Sequence, residues 1–324
     1  MASTGQRSSI GLLPPPSRRH GEGCDAAREQ IRRVVRYYNS TLIEYRTLWV
    51  GRNDLAMHFG YYDGAVRTHR DSLLRMNEVL STLARVRADD HVLDAGCGYG
   101  GTVLWLAEHV GCRASGVNVV PRQIRTARRA ARSRGLESRA SFSLADYADT
   151  EFPDSSFDVV WGLESVVHAP SKEEFVREAY RLLRPGGRLL ISEYMLRDSP
   201  PVTAQERAHL QPWLAGWAMP SLLTPSEYEL VMRRAGLSGI EAHDLTAAVL
   251  PSLNRLERIA ARIRPLGRVL HTAGIVGDVE FGNLLATLRK MEALKLGLWS
   301  YVVLVARKDA VAMSRGASPG GVAP

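Results

Sequence analysis

Two short stretches of the 324-residue sequence carry residue types and spacings that can do chemistry. The first is V-L-D-A-G-C-G-Y-G-G at 92–101. A buried strand ending at Asp94 runs into Gly96, Gly98 and Gly100, which turn the chain into a helix near Gly101. Such glycines let a backbone approach a ligand closely and take conformations a side chain would block. A glycine triplet alone could equally cradle a dinucleotide phosphate. The carboxylate on the strand, two positions before the first glycine, and the tight G-C-G-x-G spacing argue for a different ligand. The second stretch is W-G-L-E-S-V-V-H-A-P at 161–170, with Glu164 and His168 four residues apart. A carboxylate and an imidazole at that separation face the same way if the loop is helical, and either can accept a proton.

These residues need a scaffold, and the sequence supplies one. Short β-branched runs (HVLDA, ASGVNV, ASFSLA, FDVVWG, RLLISEY, GIEAHDL, YVVLVA) alternate with mostly helical spacers of roughly 10–20 residues, which predicts an α/β, mainly parallel, doubly wound sheet. Helices are expected over about 26–38 and 68–85. Two segments, about 198–224 and 247–296, break the alternation and are expected to cover the ligand crevice at the carboxyl edge of the sheet. The implied division is a flexible tail over 1–25, an N-terminal helical lid over 26–88, a core over 89–196, the remaining core with helical caps over 197–308, and a second flexible tail over 309–324.

The motifs, taken in order, resemble class I S-adenosylmethionine (SAM) dependent methyltransferases. D-x-G-C-G-x-G matches that family's motif I, so the resemblance implies a Rossmann-like seven-stranded sheet. It also implies SAM contacts from Asp94, Gly96, Cys97 and Gly98, with S-adenosylhomocysteine as the product. After the second strand, Asn118 stands where most members place an acid against the ribose. An amide can still donate and accept there, without the charge that strengthens such bonds. Gln123 begins the next helix and matches a glutamine of some subfamilies. The LADYADTEF segment puts Asp146 and Tyr147 at the adenine, and Leu163 ends the fourth strand beside the cofactor. Tyr38, by analogy with relatives whose N-terminal helix closes over the cofactor, is expected to cover SAM.

W-G-L-E-S-V-V-H-A-P, together with HFGYYDG and GVNVVPRQ, is similar to the branch of sterol C-24, tocopherol and prenyl diphosphate or terpenoid methyltransferases. That resemblance implies methylation of an alkene carbon, in which a carbocation forms and then loses a proton. Aromatic faces stabilise such cations, and one base must stand within reach. Glu164 is expected to be the base, with His168 its orienter or a second acceptor. An O- or N-methyltransferase of a polar natural product is the competing expectation, since the same pair can deprotonate a hydroxyl. Tyr45, Trp49, Trp213 and Trp217 are candidate pocket walls. Arg258 and Arg262, on one helical face with Arg255, are either solvated or diphosphate ligands. Mg²⁺ is expected only if the substrate is a diphosphate; Asp89, Asp90 and Asp94 do not have the spacing of an intrinsic metal motif.

Composition excludes other classes. Hydrophobic residues at 45% and charged residues at 23% place the chain among ordinary globular proteins. The net charge of +8 is spread over several helices without interleaved aromatics, which argues against nucleic-acid binding. No apolar run approaches the roughly 18 residues of a membrane span, and the three cysteines are too few and scattered for a disulfide frame. The expected setting is cytoplasmic and the expected partner a small hydrophobic substrate, with a homo-oligomer left open.

Overall fold

A computed structural model describes residues 22–42 and 55–310. Seven strands form one sheet: β1 (His91–Ala95), β2 (Arg113–Asn118), β3 (Ala140–Leu144), β4 (Phe157–Leu163), β5 (Leu183–Leu196), β6 (Leu237–Asp244) and β7 (Trp299–Lys308). Their order is β3-β2-β1-β4-β5-β7-β6. Pairs among β1 to β5 are parallel, and β7 runs antiparallel to both neighbours. The expected seven-stranded α/β sheet is thus present.

Central strands are apolar on both faces because helices cover both. Along β1, Val92 and Leu93 enter opposite cores; along β4, Val159 and Trp161 oppose Val160; along β7, Val303 and Val305 oppose Val302 and Leu304. One core is sealed by α5 (Lys172–Leu182) and α7 (Pro225–Arg234), through Phe175, Val176, Tyr228 and Met232. The other takes α1 (Glu22–Ser40), α2 (His69–Leu83), α3 (Gly101–Trp105, continued as a wider turn to Val110) and α4 (Pro121–Ser133). It also takes α6 (Ala204–Gly216), α8 (Thr246–Thr272) and α9 (Asp278–Lys295), which are the two segments that broke the alternation.

Helix starts follow local chemistry. Thr68, Thr203 and Thr224 each accept from the backbone N–H three residues on, and Asp71, Glu206 and Glu227 return a bond to the cap backbone. The six arginines of 122–134 mostly stand on the solvent side of α4, whose buried face is Gln123, Ile124, Ala127 and Ala131.

Between β1 and β4 the winding reverses, with β2 on one side of β1 and β4 on the other. Open α/β sheets bind ligands at the carboxyl ends of such a pair. Among the described residues no helix is long and apolar enough to cross a membrane, and no group of three or more His, Cys, Asp or Glu side chains is arranged to hold a metal.

Candidate functional site

At the switch point the turn after β1 is fixed before any side chain matters. The backbone N–H groups of Gly96 and Cys97 both donate to Val117 O, at 2.9 and 3.0 Å, and Gly100 N–H closes onto Cys97 O at 2.8 Å. Gly96 sits at φ +91°, and a Cβ there would come 2.4 Å from Ser165 Cβ. At Gly100, φ +86°, a Cβ would strike Phe142. Only glycine fits either place. Ser165 donates to Ala95 O and so ties the turn after β4 to the end of β1.

A cavity of about 340 Å³ opens over this turn and runs outward between α1, α8 and α9. Its inner end is lined by Asp94, Gly96, Cys97, Gly98, Asn118, Gln123, Asp146, Tyr147 and Leu163. All of the cofactor contacts expected on the core are therefore brought together. Asp94 is 4% exposed and its carboxylate accepts no hydrogen bond from the described residues. Burial pushes it up to about 7. An isolated buried carboxylate of this kind is destabilised unless a cation arrives, and SAM carries one at its amino-acid end. Asn118 spends its amide on Gln123 Oε1, 2.6 Å away, so the amide nitrogen of Gln123, which faces only the weakly accepting Met57 Sδ at 3.5 Å among the described residues, is the donor better placed to meet a ribose hydroxyl. Tyr147 commits its hydroxyl to Ser165 O at 3.0 Å. Cys97 is kept a thiol, because burial and then the Asp94 charge push it up.

Midway along the cavity stand Tyr38, Phe59, Glu164, His168, Tyr194, Trp217 and Met219. Glu164 adopts φ +50°, a left-handed conformation unusual for a side-chain-bearing residue. Its carboxylate is held on three sides: Phe59 N–H donates to Oε1 at 2.7 Å, Tyr301 to Oε1 at 2.8 Å and Tyr194 to Oε2 at 2.8 Å. Burial raises the Glu164 pKa; the Phe59 N–H and both tyrosine hydroxyls work against that rise, as does the charge of Lys290.

His168 does not orient Glu164. The chain leaves Glu164 in its left-handed bend and enters a single 3₁₀ turn, Val166–His168, and among the described residues the two side chains share no hydrogen bond. The imidazole Nδ1 faces Ala218 O at 3.3 Å and therefore carries the hydrogen, which leaves Nε2 to accept from the Tyr38 hydroxyl at 3.0 Å. Burial lowers the His168 pKa to about 4, so the ring is neutral at ordinary pH. Its turn is braced by Lys172, whose ammonium donates to Val167 O, Ala169 O and Ser221 O. Gln30 from α1 donates to His168 O and Ala218 O, which fastens the N-terminal helix across the site.

Several substrate expectations are corrected. Trp213 is 0% exposed and packs against Tyr194, Trp217 and Trp299 without reaching the cavity; Trp217 does reach it. Arg258 and Arg262 are exposed on the far side of α8, whose cavity side is Leu256, Ile259, Ala260 and Ile263. Tyr45 and Trp49 lie outside the described residues. Phe59, Tyr194, Tyr301 and Lys290 were not anticipated. Lys290 is fully buried and without a hydrogen-bond partner, 4.2 Å from the ring centre of Phe59 and 4.5 Å from that of Trp217. Burial brings it down to about 7, against the pull of Glu164.

Comparison with known proteins agrees with this geometry. A family profile described as "Methyltransferase domain" matches residues 93–191. The 27-O-demethylrifamycin SV methyltransferase of Amycolatopsis mediterranei is 31% identical over 261 residues, covering 81% of this chain and 91% of that protein. Two solved structures share the fold: the cyclase SpnF, at TM-score 0.72 and 22% identity over 93% of this chain and all of that one, and a geranyl diphosphate methyltransferase in complex with GPP and sinefungin, at TM-score 0.68 and 21% identity over 86% of this chain and 99% of that one. Identity at that level across that length, joined to the glycine turn and its buried carboxylate, means that the chain belongs to the class I SAM-dependent methyltransferases.

Proposed function

We propose that this enzyme methylates a carbon of a large, neutral, apolar acceptor, an isoprenoid-type alkene, and that Glu164 takes the proton lost afterwards. Bound SAM supplies an electrophilic methyl group on a sulfonium. The alkene π pair forms the new C–C bond while the S–CH₃ pair stays on sulfur. The resulting cation then releases a proton to a carboxylate.

One observation carries this reading: Glu164 lines the same cavity as the glycine turn, fixed by three donors, with Oε2 engaged by Tyr194 alone. Among the described residues nothing else engages Oε2, which leaves one of its lone pairs unspent, and the raised pKa makes it the better proton acceptor. Tyr38 and Tyr194 line the same cavity and supply aromatic rings to it. In this reading Asp94 holds the amino-acid end of SAM, Gly96, Cys97 and Gly98 pass its sugar, and Gln123 and Asn118 serve the ribose. Asp146 and Tyr147 hold the adenine, Leu163 packs on the cofactor and Tyr38 closes over it. Outward the walls are Ile31, Val34, Ile259, Ile263, Leu270 and Leu284.

The charge of the lining selects against a diphosphate. Among the described residues it contains the carboxylates of Asp94, Asp146, Glu164 and Glu280 and no lysine or arginine. A diphosphate would have to bring Mg²⁺ as its own counter-charge.

A second reading, O-methylation, draws on His168. A neutral imidazole whose Nε2 points at a hydroxyl, that of Tyr38, can take the proton of an acceptor hydroxyl that replaces it. Incubation with methyl-labelled SAM and a panel of sterols, free terpenoids, prenyl diphosphates and phenols separates the two, since label ends in a hydrocarbon or in an ether. Glu164→Gln is expected to abolish C-methylation with SAM affinity unchanged, whereas normal turnover in that variant removes Glu164 as the base.

A further inference from the structure

The outer half of α8 shows two different faces. At about 100° per residue, Arg258, Arg262, Leu266 and Val269 fall within an arc of about 80°. Leu266 is 62% exposed, Val269 65%, and Ile275, in the turn before α9, 72%. Large apolar side chains clustered in water mark an interaction surface. Arg258, Arg262, Arg264 and Arg268 surround them, all exposed and none with a carboxylate partner among the described residues. The other face of the same turns lines the cavity through Ile259, Ile263 and Leu270. Ile263 and Leu266 belong to both sets: they line the cavity and are 39% and 62% exposed. The mouth of the cavity therefore lies beside the exposed apolar residues.

We propose that this end of α8, with the turn carrying Ile275, docks on an anionic lipid bilayer, and that an apolar acceptor enters the cavity directly from the membrane. The occupant follows from charge and shape together. Unpaired arginines around apolar side chains form the pattern of an interfacial helix, apolar groups entering the acyl boundary and guanidinium groups meeting lipid phosphates. A hydrophobic acceptor partitions into bilayers, so a mouth opening there avoids its passage through water. The entry route rests on the apolar acceptor proposed above; the docking does not.

Flotation of the full chain with phosphatidylcholine vesicles, with and without phosphatidylglycerol, tests this without any turnover. Binding is expected on the anionic vesicles, weak on the neutral ones and reduced by salt. The Arg258→Gln/Arg262→Gln double variant is expected to bind about 25-fold more weakly, at about five-fold per arginine. Val269→Glu/Ile275→Glu is expected to lose binding, and unchanged SAM affinity by calorimetry verifies that each variant is folded. Docking here is overturned by absence of binding, by equal binding to neutral vesicles, or by full binding of both variants. It is equally overturned if sedimentation without vesicles shows a dimer that the Val269→Glu/Ile275→Glu variant dissolves, since the face then belongs to a second copy.

Discussion

Glu164 is held by groups that no local sequence pattern could have named. Tyr194 lies on β5, Tyr301 on β7 and Phe59 in the segment leading to α2, and only the pairing of β5 with β7, which sets Tyr194 opposite Tyr301, brings the two hydroxyls to one carboxylate. Each hydroxyl favours the ionised form, so removing one raises the Glu164 pKa further. Tyr301→Phe keeps the ring and removes this donor, at the cost of taking from the buried Ser192 hydroxyl the oxygen it donates to, 3.2 Å away. The acid limb of kcat/KM, the pH below which a carboxylate base is lost, is expected to move up by about one unit. An unmoved acid limb in Tyr301→Phe would show that Glu164 is not the titrating base. By contrast, Asp94, Gly96 and Gly98 were legible in the sequence because the turn is local: strand, carboxylate and glycines lie within a few residues. Gly96→Ala is expected to abolish SAM binding, because both its φ of +91° and the contact with Ser165 forbid a Cβ.

Elements were legible where their own residues decide them, as the alternating strands and capped helices do, and less so where packing decides which side of a helix faces the ligand. Arg258 and Arg262 share a side of α8 as their spacing requires, yet that side turns to solvent because Leu253, Leu256 and Ala260 are claimed by the core. Helix α9 hides the opposite case. Its Lys290 sits inside the aromatic box of Phe59, Tyr194 and Trp217, where an amine with no hydrogen-bond partner destabilises the fold. The Lys290 charge also works to lower the Glu164 pKa. Lys290→Met fills similar volume without that cost, and its melting temperature is expected to rise by about 1–2 °C for each kcal/mol recovered. The same variant is expected to move the acid limb of kcat/KM upward, since the charge that lowered the Glu164 pKa is gone. A lower melting temperature together with an unshifted profile would make Lys290 merely a packing residue.

For the molecule as a whole, buried titratable groups couple stability to cofactor binding, with opposite signs. His168 has a folded pKa of about 4 against an ordinary 6.5, so its contribution is present above pH 6.5 and is lost as pH falls toward 4. Asp94 has a folded pKa of about 7 against an ordinary 3.8, so its contribution is present at low pH and is lost as pH rises through 7. Between about pH 4 and 6.5 the two slopes oppose each other. Glu164 and Glu193, whose pKa values burial also raises, add to the Asp94 side, and His91, whose pKa burial lowers, adds to the His168 side. The melting temperature of the cofactor-free chain is therefore expected to fall modestly as pH rises through that range. In the proposed placement the SAM ammonium supplies what Asp94 lacks, which makes the ionised carboxylate the binding form. Stabilisation by S-adenosylhomocysteine, which carries the same ammonium and does not turn over, is therefore expected to grow as pH rises from about 5 to 7 and then to level off. At pH 7 binding is expected to release about half a proton, because a carboxyl with a pKa near the solution pH is half protonated. Calorimetry in buffers of different ionisation enthalpy reads that proton directly. Zero release, together with a ligand-induced melting shift that does not change with pH, would remove Asp94 from the ammonium and leave the glycine turn to hold the cofactor by its backbone alone.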